Sequence, residues 1–214
     1  IYDYVKLGKG CQVFPGAVIG AVPQDLKFDG EITHVEVGDY TVIRECATIN
    51  RGTAASGRFL TKIGSHCLIM SYAHIAHDCR VGDHCIVVSH VGVAGETDIA
   101  DWAIIGGGPM GHQFSRIGTH AMVGGATGVS KDVPPYILAA RNPISYEGIN
   151  IVGLRRRGFS VEEIEEIKNI YKIIYEDDKN ISDALRIIDQ LFPESKHAKV
   201  ISSFIRNSKR GICR

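Results

Sequence analysis

No stretch of this chain is apolar for long enough to cross a membrane as a helix, no Cys-x-x-Cys pair occurs, and its 24 basic and 24 acidic residues cancel. The first absence excludes an integral helical protein. The second removes the paired-cysteine spacing of zinc ribbons and redox sites. A balanced charge without a basic stripe excludes an electrostatic nucleic-acid binder. Six cysteines in a chain with no secretory signal are expected to be free thiols in a reducing cytosol, which makes the protein cytoplasmic.

What the chain does have is a period of six. Ile63, Ile69, Ile75, Val81, Val87, Val93, Ile99, Ile105, Ile117, Val123 and Val129 are all aliphatic, and Gly111 alone breaks the series. Neither a helix face nor one alternating strand has this period, so the backbone must turn a corner every six residues. Three sides make a coil of eighteen residues, and the hexads IGSHCL, VGDHCI, IADWAI and IGTHAM recur at that spacing. This is the hexapeptide repeat of a parallel β-helix. Cys11, Cys67, Cys79 and Cys85 fall on its fifth position, where other hexads carry small residues, and are read as buried packing residues. Terminal coils need a cap, so coils are expected to precede Ile1.

Two loops leave the repeat, at residues 21–36 and 50–62, and projecting loops usually carry a solenoid's binding groups. Pro134 and Pro135 are expected to end the ladder. A connector then leads from a β-helical domain, residues 1–152, to a helical domain, residues 153–214. In the latter, Ser160 and Glu163 form a capping box, Phe159 and Ile164 a staple, and Ala184, Leu185, Ile188 and Leu191 one face of a second helix. Residues 153–214 hold 13 basic against 10 acidic residues, and Lys168, Lys172, Lys196, Lys199 and Arg206 are candidates to steer an acidic partner.

His66, His84 and His120, with Trp102 on the missing rung, share the fourth hexad position and are read as an exposed stack. His74 and His77 lie off that ladder, Asp78 follows directly, and Gly92 and Gly95 stand one coil above, leaving both rungs without a side chain. The His-x4-His spacing of hexapeptide-repeat carbonic anhydrases is absent. A nucleophilic Ser71 stays open, and a general base acting on a substrate hydroxyl, with a nearby N–H for the oxyanion, is the simplest role.

PQDLKF, INRGT, AHIAHDC, AIIGG with HQF, MVGG, DVPPY and GLRRRGFS, in this order over essentially the whole chain, resemble the UDP-N-acetylglucosamine O-acyltransferases, which begin lipid A biosynthesis. The resemblance implies a homotrimer of left-handed parallel β-helices, each with a C-terminal α-helical domain, and active sites between subunits. It implies transfer of an (R)-3-hydroxyacyl chain from acyl carrier protein to the glucosamine 3-hydroxyl of UDP-N-acetylglucosamine, with no metal or cofactor. By the same resemblance His77 is the base, Asp78 holds it, and the Gly95 N–H receives the oxyanion. Gln24, Asp25 and Lys27 bind the sugar side; His74, His112 and Gln113 line the cleft. Asn150, Arg156 and Arg157 meet the diphosphate, and Gly125 sits where a bulky residue would stop the acyl chain.

Glu96 and Asn50 stand where better-known relatives carry histidines, and Val152 where they carry an acid. Some members of the family prefer the 3-amino analogue of the acceptor. The rival readings are a related hexapeptide-repeat N-acyltransferase, which usually adds a large N-terminal domain, and a non-catalytic solenoid platform, which would favour flat, uninterrupted faces.

Overall fold

A computed structural model describes residues 1–108, 111–175 and 180–214. The sixfold period folds as a three-sided left-handed β-helix. Its first face has six strands, running from Val5–Leu7 through His34–Val37, Leu60–Ile63, Arg80–Val81 and Asp98–Ile99 to Arg116–Ile117. Among the described residues the second has eight, from Gln12–Val13 to Ile137–Ala140 and Ser145–Ile149, and the third has four, Val18–Ala21, Thr48–Asn50, His74–Ile75 and Gly92–Val93. Parallel pairing puts Ile63, Val81, Ile99 and Ile117 in one register and Ile69, Val87, Ile105 and Val123 in another. Each of these is at most 3% exposed, and a buried side chain of this kind is worth about 1.5–3 kcal/mol.

The corners require an unusual backbone. The fourth hexad residue is left-handed whatever its side chain: φ is 56° at His66, 61° at Asp78, 57° at His84, 58° at Glu96 and 64° at Trp102. That conformation costs an L-residue roughly 1–2 kcal/mol. In return it aims the N–H along the solenoid axis at an acceptor one coil away, a carbonyl from His84 to Ser65 at 2.9 Å and from Glu96 to His77 at 3.0 Å, and a hydroxyl at Asp78. Gly111 interrupts the aliphatic series because a Cβ there would lie 1.7 Å from the carbonyl oxygen of Val129.

Three of the four hexad cysteines behave as expected: Cys67, Cys79 and Cys85 are buried free thiols, and burial pushes the Cys79 thiol up to about 12, whereas Cys11, in the first coil, is only half-buried. The histidine stack is real but not simply exposed. His66, His84, Trp102 and His120 stack at 5.0, 4.0 and 6.0 Å, Tyr40 and Tyr136 extend the column, and its upper end is half-buried under Phe159 and Arg157.

Two expectations need correction. The first loop is shorter than expected, because Val18–Ala21 and His34–Val37 are strands. The ladder passes Pro134 and Pro135, which take a corner that donates nothing, and resumes as Leu138 and Ala139 pair with Met122 and Val123. The connector is an ordered antiparallel hairpin, Ile137–Ala140 with Ser145–Ile149, closing the solenoid's end.

Four helices follow: α1 (Ile151–Arg156), α2 (Val161–Tyr175), α3 (Ile181–Leu191) and α4 (Lys196–Arg206). The capping box forms as read, with Ser160 N donating to Glu163 at 2.9 Å and Glu163 N to Ser160 at 3.2 Å. Ala184, Leu185 and Ile188 face the core, but Leu191, in the last turn of α3, is 63% exposed. Fully buried Tyr171 ties α2 to the solenoid by donating to the Pro135 carbonyl at 2.6 Å. No helix among the described residues is long and apolar enough to cross a membrane.

Candidate active site

Both loops leave the solenoid where the third face turns into the first, and His77 and Asp78 occupy that same edge one coil after the second loop. Asp78 is the left-handed residue of its corner and has no exposed surface. Its Oδ1 accepts from Thr53 N at 2.9 Å, while Oδ2 accepts from the Thr53 hydroxyl at 2.7 Å and faces His77 Nδ1 at 2.8 Å. Its backbone is held too: Asp78 N donates to Thr61 Oγ1 at 2.8 Å, and Arg58 donates to the Asp78 carbonyl at 2.7 Å. Gly52 permits this approach, because a Cβ there would collide with Leu60 N at 2.2 Å and Asp78 Oδ1 at 2.8 Å.

Paired in this way, His77 presents Nε2 to the remaining side of the site, 4.0 Å from Asp25 Oδ2. The missing side chain of Gly95 makes room for the ring itself, since a Cβ there would lie 2.6 Å from Nε2. The hydrogen bond to Asp78 raises the His77 pKa above the ordinary 6.5; burial opposes this, and the charges of Asp78, Asp25 and Glu96 add to it. Burial works against ionised Asp78, yet donors from His77, Thr53 and Ser56 outweigh it and hold the carboxyl below its ordinary value.

His74 is different. Half-buried on the third face, it pairs Nδ1 with the Thr48 hydroxyl at 2.7 Å, and burial, then repulsion from His77, lowers its pKa. The rung above it is open, because a Cβ at Gly92 would touch nothing within 4 Å. Asp25 sits in the first loop, braced by Lys27 N at 3.0 Å, with Gln24, Leu26 and Lys27 exposed around it. His112 and Gln113 are exposed one coil above Ala94 and Gly95. A base fixed at one nitrogen, ringed by carboxylates and beside an open rung, is equipped to remove a proton from a bound hydroxyl or ammonium group.

The remaining candidates lie elsewhere. Gly125 is exposed on the edge between the second and third faces. Asn150 caps α1, accepting from Gly153 N at 3.1 Å and donating to the His120 carbonyl at 3.0 Å, on the edge between the first and second faces. Arg157 lies over Trp102 there, 5.4 Å from the ring centroid, and Arg156 is exposed beside it. Within one chain these groups do not share a site with His77. Ser71 is also on another edge, donating to Glu45 at 3.0 Å, so it cannot serve as a nucleophile activated by His77 of the same chain. Four of the five steering candidates are occupied: Lys168, Lys196, Lys199 and Arg206 pair with Glu165, Glu163, Glu194 and Asp189.

No group of three or more His, Cys, Asp or Glu among the described residues is placed to hold a metal ion. Two hollows of about 410 and 430 Å³ lie along the first face and under α4. A smaller one of about 280 Å³, lined in part by Arg58, Glu96 and Phe114, adjoins the His77 edge.

Sequence reading missed Thr53 and Arg58, and gave Glu31 no role. Arg58 pairs with Asp98 at 2.8 and 3.1 Å, and Glu31 accepts from Ala54 N at 2.8 Å, joining the two loops. Glu31 was visible as a carboxylate on the aliphatic position of its hexad; Thr53 and Arg58 left no periodic signal.

A family model for the second domain of UDP N-acetylglucosamine O-acyltransferase matches residues 132–213, and one for six bacterial transferase hexapeptide repeats matches residues 60–95. Among solved structures, a UDP-N-acetylglucosamine acyltransferase from Bacteroides fragilis is 52% identical with a TM-score of 0.93, over 98% of this chain and 82% of that one. The Moraxella catarrhalis O-acyltransferase is 40% identical, TM-score 0.93, over 98% and 81%. An Arabidopsis acyltransferase is 28% identical, TM-score 0.85, over 100% and 91%.

Proposed function

Because this chain belongs to the family of UDP-N-acetylglucosamine O-acyltransferases, we propose that it transfers an (R)-3-hydroxyacyl chain from acyl carrier protein to the glucosamine 3-hydroxyl of UDP-N-acetylglucosamine, the opening step of lipid A biosynthesis. The observation that carries this reading is the His77 imidazole, fixed at Nδ1 by Asp78 at 2.8 Å and free at Nε2 beside Asp25 and Gly95.

In the mechanism, Nε2 takes the proton of the 3-hydroxyl as its oxygen attacks the thioester carbonyl. The tetrahedral oxyanion accepts from the Gly95 N–H, for which no acceptor is found among the described residues. Collapse expels the carrier's thiolate, which takes the proton from the imidazolium. Asp78 stays ionised and stabilises the cation between the two transfers. Gln24, Asp25 and Lys27 hold the sugar, and His74, His112 and Gln113 wall the cleft.

The working unit in this proposal is a homotrimer in the cytoplasm. His77 and the nucleotide candidates Asn150, Arg156 and Arg157 lie on different edges, so a ligand touching both sets draws them from two chains. The outward ladder Val42, Leu68, Ile86, Ile104, Met122 and Leu138 gives the second face an apolar stripe suited to burial against a copy.

A second reading of the acceptor is favoured by Glu96, whose charge, with Asp25, bears on His77. Carboxylates there attract a cationic 3-ammonium group, which His77 would deprotonate before attack. Acyl transfer from a 3-hydroxyacyl carrier to each sugar, run side by side, tests both readings; transfer to neither would overturn the enzymatic assignment.

A further inference from the structure

Loop residues 51–59 lie between Asp78 and Asp25. Thr53 occupies both carboxylate oxygens of Asp78, by its N–H at 2.9 Å and its hydroxyl at 2.7 Å, and is itself 1% exposed. The hydroxyl oxygen receives Ser56 N at 3.3 Å, so its own proton is directed at Asp78. The next residue turns the other way: Ala54 N donates at 2.8 Å to Glu31 Oε1, whose second oxygen receives Asp29 N at 2.8 Å. Glu31 thereby belongs to the loop that carries Asp25 to within 4.0 Å of His77 Nε2. Arg51 adds a second tie, its guanidinium lying 5.2 Å from the Phe28 ring centroid.

We infer that this loop is the positioning element of the site: Thr53 orients Asp78, and through it the His77 imidazole, while Glu31, held by Ala54 N, sets the loop that presents Asp25 to the acceptor sugar. The inference rests on the acyl-transfer reading for its kinetic consequences, but not for its structural ones. It divides the labour between the ends of the loop. Thr53 governs the base, and Glu31 governs the acceptor side.

The groups facing His77 that bear on its titration are Asp78 at the same corner, Asp25 from the first loop, Glu96 from the coil above and His74 from the third face. Arg58 holds the Asp78 carbonyl. Removing the Thr53 hydroxyl takes one donor from Asp78 Oδ2 and frees one anchor of the carboxylate. The imidazole becomes more basic and less well placed.

Thr53→Val should lower kcat on the order of ten- to a hundredfold, the loss of one hydrogen bond to a charged group, with little change in KM for the sugar. His77 should titrate at higher pH by NMR of labelled histidine. Thr53→Ser should restore both. Glu31→Gln should raise KM for the sugar severalfold and leave the His77 titration where it was. Wild-type turnover and titration in Thr53→Val, or a Thr53→Ser variant as damaged as Val, overturns the role of Thr53. An unchanged KM in Glu31→Gln overturns that of Glu31. If Thr53→Val fails to fold, Thr53→Ala is compared with Thr53→Ser; if both hydroxyl-free variants fail, Thr53 is a stability residue and the proposal falls. Should the wild type transfer no acyl group, the function proposed above fails while the His77 titrations still decide whether Thr53 positions it.

Discussion

At the scale of single residues, the proposed base is a histidine whose basicity is raised by a buried neighbour. The Asp78 hydrogen bond lifts the His77 pKa above 6.5 against the opposing effect of burial. A general base works neutral, so kcat/KM should rise with pH along an acid limb whose midpoint lies above the ordinary histidine value. The linked stability runs the other way. The His77 cation stabilises the fold fully below the unfolded pKa near 6.5, and that contribution is lost as pH rises through the folded value. His77→Ala should retain its fold at some cost in stability, because the aliphatic ladders stay intact while buried Asp78 loses one partner, and lose roughly two or more orders of magnitude in kcat. Turnover within a few-fold of wild type would sink the mechanism.

Among elements, the corners carry most of the information. The stacked column on the first-to-second edge includes His120, whose pKa is pushed down to about 4 by burial, then by the charges of Arg157 and His197. Because the folded state prefers the neutral ring, the unfolded chain binds the proton first, and stability falls as pH drops from about 6.5 towards 4. Partial exposure limits the size of the effect. Melting curves should show His120→Phe losing less than wild type over that range, and parallel curves would reject the assignment. On the second-to-third edge, a Cβ at Gly125 meets the Gly107 carbonyl oxygen at 3.2 Å, tight enough to need a small adjustment but not a clash. Gly125→Met should therefore fold and, if this edge borders the acyl groove, move preference from long towards short donors across about ten to sixteen carbons, with each buried methylene worth about 0.8 kcal/mol. An unchanged profile would leave glycine with a backbone role alone.

For the whole molecule, the proposed trimer predicts complementation. His77→Ala removes the base from one edge, and Arg156→Ala removes an exposed arginine from another. If each site joins those edges from two chains, co-refolding equal amounts of the two inactive or weakened variants should restore about a quarter of the wild-type sites, the statistical share of interfaces with both halves intact. Activity no higher than the mean of the separate variants would place the two edges in unrelated sites.

The solenoid was legible in the sequence because a sixfold period of aliphatic residues admits one geometry: a coil that buries them must turn every six residues. His77 and Asp78 were legible as a pair off the histidine ladder with a glycine on the rung above His77, and Glu31 as a carboxylate on an aliphatic position. Tertiary structure decided the rest. Pro134 and Pro135 read as an end because proline donates nothing to a ladder, yet at a corner no ladder bond is required, and the sheet resumes beyond them. The contacts of Thr53 with Asp78 span 25 residues, and those of Arg58 with Asp98 span 40. Such contacts join a loop of no fixed period to coils one or two turns away, and only the closed coil brings them within hydrogen-bonding reach.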